Sequence, residues 1–164
     1  MNVEFREARQ SDIPFLRQML YEAVFWGAGD DKPPFEEGLE YPGVSNALAG
    51  WGERDGDIAV VAEIDFKQIG AAWIRYWTDD NNIRGYYDEN IPVLVIGVSQ
   101  DYRHQGIGGK MISWLVDYAG MQGIARISLM VSKDNYAINL YGQCGFVEYA
   151  DKGNSVIMVR EIDA

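Results

Sequence analysis

The stretch that most limits the fold runs from "IPVLVIGVS" through "QDYRHQGIGGKMISWLVDYAG" to "ARISLMVS". A continuous apolar run, Ile91 to Val98, reads as a central strand buried on both faces. A polar link carrying Arg103 and His104 follows, and Ile107, Met111, Trp114, Leu115 and Tyr118 then recur at helical spacing up to a stop at Gly123. A second β-branched run comes next, so the three elements make a right-handed crossover between parallel strands. This excludes all-α and purely antiparallel folds.

The crossover helix opens on Gly106, Gly108 and Gly109, where good helix formers are expected. Each glycine costs roughly 0.5 to 1 kcal/mol against alanine inside a helix. The cost makes sense if the loop wraps an anion, because the first turn of a helix presents unpaired N–H groups and the positive end of the dipole. Two phosphate motifs fail on named residues. A P-loop wants Ser or Thr after Gly109-Lys110 and an earlier Gly, but Met111 and His104 stand there, and Met111 also takes the place of the third Gly of a dinucleotide fingerprint. A glycine-rich strand-to-helix turn without ligand stays open on this motif alone.

The remaining elements are read from patterning. "NVEFREA" alternates as a strand, with Val3 and Phe5 on one face, and Ser11 and Asp12 cap a first helix that has Pro14 in its first turn. That helix buries Ile13, Leu16, Leu20 and Val24. Phe25 to Pro42 reads as a long irregular loop, a kind that is often functional, and "SNALAGWG" reads as a short second helix. "DIAVVAEID" and "IGAAWIRYW" form an antiparallel hairpin turning at Asp65 to Gln68, and "TDDNNIRGYYDEN" is a polar loop carrying Arg84 and Gly85. "DNYAINLYGQCG" is a short helix ended by Gly145, and "FVEYA" and "SVIMVRE" are a last hairpin turning at Gly153 and Asn154. The expectation is one α/β domain over residues 1–164 around a mixed sheet.

Charge and composition bound the chemistry. The formal charge of −11 has the wrong sign for a phosphate-backbone binder, so nucleic acid is not an expected partner. An acidic surface favours cations, although acidity also serves solubility. One Cys and one His leave no structural zinc site and no disulfide, and Cys144 reads as a small packed residue. "MNVEFREARQ" lacks an apolar signal core and no segment has the roughly 20 apolar residues of a membrane span, so a reducing cytoplasm is the expected location.

Two motifs then carry a resemblance. Arg103-His104-Gln105-Gly106-Ile107-Gly108 resembles the R/Q-x-x-G-x-G/A pyrophosphate loop of the GNAT superfamily of acyl-CoA-dependent N-acyltransferases. About 30 residues downstream, Asn135, Ala137, Leu140-Tyr141 and Gly145-Phe146 resemble that superfamily's second signature. The element order from Asn2 to Arg160 is similar as well.

The resemblance implies a mixed, mostly antiparallel sheet of about seven strands flanked by about four helices, with the parallel crossover at the CoA site. It implies acetyl-CoA as co-substrate, no metal, and direct attack of a primary amine in a ternary complex. Ile96, Gly97 and Val98 would line the pantetheine gap, the Ile96 amide aimed at the thioester carbonyl. Arg103, His104 and the backbone of Gln105, Gly106, Ile107, Gly108, Gly109 and Lys110 would hold the pyrophosphate. Tyr141 would protonate the departing thiolate, and Asn135 would contact the cofactor or cap the following helix.

Some family members carry a Glu early in the central strand, where this chain has Pro92, so the base is unassigned among Glu63, Asp88 and Glu89. Acceptor recognition would fall to Phe25, Trp26, Phe35, Tyr41 and Trp51 with Asp30, Asp31, Glu36, Glu37 and Glu40, a mixture that suits a small cationic amine or is merely core and solvated surface. The alternatives are a non-catalytic acyl-CoA sensor and an acetyltransferase acting on protein termini or lysines. Similar proteins are commonly homodimers, the assembly the resemblance suggests.

Overall fold

The computed structural model describes residues 2–26, 31–41, 44–54 and 56–162. Its strands are β1 (Glu4–Glu7), β2 (Ile58–Ile64), β3 (Lys67–Arg75), β4 (Val93–Val98), β5 (Arg126–Ser132), β6 (Val147–Asp151) and β7 (Ser155–Glu161). The α-helices are α1 (Ile13–Val24), α2 (Phe35–Gly38), α3 (Ile107–Met121) and α4 (Ala137–Gln143). The strands form one seven-stranded sheet in the order β1-β2-β3-β4-β5-β7-β6, in which every neighbouring pair is antiparallel except β4 and β5. This is the mixed sheet that the crossover required.

Both faces of the sheet are covered, which is why its central strand β4 is apolar throughout. On β2, Ile58, Val60 and Ala62 face the cluster built on Ile107, Met111 and Leu115 of α3, while Ala59 and Val61 face Leu16, Met19 and Leu20 of α1. The β2–β3 hairpin closes on Asp65 and Phe66, whose φ of 49° and 66° suit the primed turns that match strand twist. Gly123 and Gly145, at φ 76° and 91°, stop α3 and α4 as their positions predicted.

Three expectations fail. "SNALAGWG" is a run of turns, because Gly50 and Gly52 adopt φ of 61° and 88° and the Ala47 carbonyl accepts from Arg75 Nη1 at 3.3 Å. Arg75 is wholly buried on β3, paired with Asp57 at 3.0 Å and flanked by Trp51 and Trp77. The second helix lies instead inside the loop read as irregular: α2 follows Pro33-Pro34, and Phe35 packs edge-on against Tyr21 at 5.4 Å. Ser11 and Asp12 do not cap α1. The Asp12 carboxylate turns back to accept from the Arg9 N–H at 2.7 Å and to pair with Arg6 at 2.7 Å.

Candidate active site

The parallel pair β4 and β5 is joined at a single register pair, Val93 with Ser128, where the Ser128 N–H donates to the Pro92 carbonyl at 3.0 Å. Beyond it the strands separate. The Ser99 N–H donates to Ile69 of β3 at 2.8 Å, so strand alternation turns the amides of Gly97, Val95 and Val93 toward β3 and those of Leu94, Ile96 and Val98 toward β5. The Ile96 and Val98 amides therefore face the opening.

That opening is a cavity of about 260 Å³. Val95, Ile96, Gly97 and Val98 form one wall, Leu129 to Ser132 the other, and Leu20, Glu22, Val24 and Trp26 close it from the α1 side. Gly97 permits this closure, since a Cβ there would lie 2.7 Å from the Met19 carbonyl oxygen of α1.

Tyr141 and Asn135 both line the cavity. Tyr141 is brought there by α4, its ring edge-on to Phe146 at 6.1 Å, and burial, followed by the field of Cys144, pushes its phenol up to about 12. The hydroxyl is therefore protonated at neutral pH, as an acid must be. The Asn135 Oδ1 accepts the Ala137 N–H at 2.9 Å, a cap on α4. Burial raises the Cys144 thiol, and the lone His lies elsewhere, edge-on to Tyr136 at 5.9 Å, so no thiolate nucleophile is prepared.

The three glycines of α3 differ in their reasons. Gly106 precedes the helix at φ 82°, and a Cβ on it would meet nothing within 4 Å. Gly108 is a packing glycine, its hypothetical Cβ 3.2 Å from Leu140 and 3.7 Å from Ile96. Gly109 would make only an ordinary contact, at 3.5 Å from Leu140. The amides of Ile107, Gly108 and Gly109 begin the helix without intrahelical acceptors, whereas the Lys110 N–H already donates to the Gly106 carbonyl at 3.2 Å. Lys110 thus offers a side chain but no amide.

Arg103 does line the cavity, but its guanidinium is engaged. Its Nε donates to the Val98 carbonyl at 3.0 Å, and its Nη2 to Glu22 at 3.2 Å. His104 and Gln105 are exposed at φ 63° and in the turn before Gly106, outside the cavity wall.

Of the residues expected to recognise an acceptor, Trp26 alone among the described ones lines the cavity. Phe25 packs at a tilt against Tyr21 and edge-on against Tyr41, Trp51 packs edge-on against Trp73, and Glu36 pairs with Arg17 on the surface. Asp30 and Pro42 lie outside the described residues. Glu63 pairs with Arg6, and neither it nor Asp88 nor Glu89 reaches the cavity. Sequence reasoning missed Glu22, whose only signal is its place directly after Tyr21, the last buried position of α1. No described helix is long and apolar enough to cross a membrane.

The fold is shared with solved acetyltransferases. PaiA N-acetyltransferase from Thermoplasma acidophilum, solved with coenzyme A, superposes with a TM-score of 0.69 at 19% identity, covering 98% of this chain and 99% of that one. The yncA acetyltransferase of Salmonella typhimurium, solved with acetyl-CoA, gives 0.70 at 20% identity over 100% and 96%. In sequence, the protein named "Probable N-acetyltransferase camello" of Xenopus tropicalis is 32% identical over 87 residues, 52% of this chain, and the chain spans only 36% of that relative's length. Residues 19–146, which contain the separated strands, the glycine-opened helix and Tyr141, match the acetyltransferase (GNAT) family, and the chain belongs to that family.

Proposed function

We propose that the protein transfers an acetyl group from acetyl-CoA to a primary amine by direct attack within a ternary complex. One observation carries this reading: the unpaired Ile96 amide and the protonated Tyr141 hydroxyl belong to the walls of one cavity. The residues present fit an acyl-CoA. The free amides of Ile107, Gly108 and Gly109 and the open space before Gly106 suit a pyrophosphate, and the β4 edge has two amides left without strand partners for an extended amide-containing arm. When bound, acetyl-CoA supplies the activated acetyl thioester.

The chain's own residues then have separable tasks. The Ile96 amide stabilises the negative charge that builds on the acyl oxygen. Tyr141 donates its phenolic proton to the leaving sulfur. Glu22, the carboxylate on the cavity wall among the described residues, is tied to Arg103 beside Val98, away from where an acceptor would enter, so the incoming ammonium loses its proton to water and no side chain is assigned as the base. Asn135 holds the start of α4 and so the placement of Tyr141.

Thiol release tests the reading directly, with the full chain, acetyl-CoA and a panel of amino acids, polyamines, aminoglycosides and peptides. Turnover with an amine should fall by about 10² or more in Tyr141→Phe while coenzyme A binding persists. Wild-type rates in that variant would remove the acid role from Tyr141. Tight coenzyme A binding without thiol release from any amine would instead identify a sensor, the reading that Pro92 in place of a strand acid favours.

A further inference from the structure

The cavity carries charge of the opposite sign to the chain around it. Against a formal −11 overall, the described charged residues on its wall are Arg84, Arg103 and Glu22. Arg103 and Glu22 form an ion pair at 3.2 Å, and no described carboxylate pairs with Arg84. Among the described residues of the cavity wall, the uncompensated charge is therefore positive.

Arg84 is also held in place by its backbone. The Tyr86 N–H donates to the Ile83 carbonyl at 3.2 Å and Gly85 has φ 93°, a turn with Arg84 and Gly85 at its corners. The buried Ser128 hydroxyl donates to the Gly85 carbonyl at 2.8 Å, and a Cβ on Gly85 would lie 3.0 Å from the Met130 amide. The turn is thus pressed onto β5 beside the point where β4 and β5 part. Five residue steps along β4 lead from Val93, beside this turn, to Val98 at the phosphate end, roughly 17 Å at the usual rise. Arg84 lies at the acceptor end of the cavity.

We infer that Arg84 selects an acceptor amine that carries a compact anionic group, a carboxylate or phosphonate a few bonds from its nitrogen. This rests on the acetyl-transfer reading and replaces a purely cationic acceptor with a zwitterionic one. Arg84 is exposed at the cavity's mouth, and its guanidinium fork can pair bidentately with such a group and so favour it over an analogue that lacks it.

The experiment compares matched amines: an α-amino acid, its amide, its decarboxylated amine and its aminophosphonate analogue, across a set of side chains. Thiol release is measured for wild type, Arg84→Gln and Arg84→Lys, and calorimetry follows binding of the N-acetyl acid and N-acetyl amide to the protein with coenzyme A. The acid or phosphonate member should exceed its amide in kcat/KM by about tenfold or more. Arg84→Gln should level the two, mainly through KM, and Arg84→Lys should restore part of the preference. A wild-type preference for the amide or decarboxylated amine, an equal loss for every member in Arg84→Gln, or no binding of any anionic member overturns the assignment. Arg84-dependent binding of the N-acetyl acid without thiol release from any amine upholds it while removing the acetyl-transfer reading.

Discussion

Gly97 and Gly106 look alike in the sequence, two small residues near one motif, yet different physics holds each in place. A methyl group on Gly97 would collide with the Met19 backbone oxygen at 2.7 Å, so α1 must move off β4 to admit it. Gly97→Ala should cost about 1–3 kcal/mol, read from denaturant midpoints, and weaken closure of the cavity. Gly106 has open space but a left-handed φ of 82°; Gly106→Ala should cost about 1 kcal/mol and raise the Kd for coenzyme A, measured by calorimetry. At Gly108 the opposing atom is the flexible end of Leu140, so alanine there should be tolerated far better than at Gly97. The motif marks where glycines are needed, but the reason for each depends on partners distant in the chain.

At the level of elements, the strand, helix and strand of the crossover were legible because their patterns are long and their caps are local. All seven strands lie where alternation or apolar runs put them. The second helix was not legible. Its four residues are fixed by Phe35 packing on Tyr21, and the competing helical pattern at "SNALAGWG" is overridden by the buried Arg75 taking the Ala47 carbonyl. Tertiary demands of that kind leave no periodic trace. At the site, the sequence could not show that Arg103 also ties the Val98 carbonyl to Glu22 of α1, since Glu22 is distant in the chain. The Ser128 hydroxyl is a second such tie. Ser128→Ala leaves the Gly85 carbonyl without its buried donor and should destabilise the fold by about 1–2 kcal/mol, visible as a lowered Tm.

For the whole molecule, charge acts through a few buried carboxylates more than through the net −11. Asp12 is drawn down from 3.8 to about 2, chiefly by its hydrogen bonds from Arg6, in a network that also holds Glu63 and Gln68. A folded value below the unfolded one adds stability at pH above about 4, which is lost as pH falls through about 2. The contribution is on the order of 2 kcal/mol, so Asp12→Asn should lower stability at pH 7 and show a flatter acid limb between pH 4 and 2. Tyr141 has the opposite sign. Its raised value stabilises the folded state below pH 10 and the effect is lost as pH rises toward 12, so no limb of the activity profile below pH 9 should belong to it.

The single register pair between β4 and β5 also has a kinetic consequence, one that isotope labelling makes visible. Alternate amides of one strand face opposite fates: Val95 and Gly97 are locked against β3, while Ile96 and Val98 look onto the opening. In deuterated buffer the strand should therefore exchange with a two-residue beat, fast at 96 and 98 and slow at 95 and 97, a pattern absent from β2, which is paired on both sides. Saturating coenzyme A should erase the beat by slowing the even-numbered amides, whatever the acceptor proves to be.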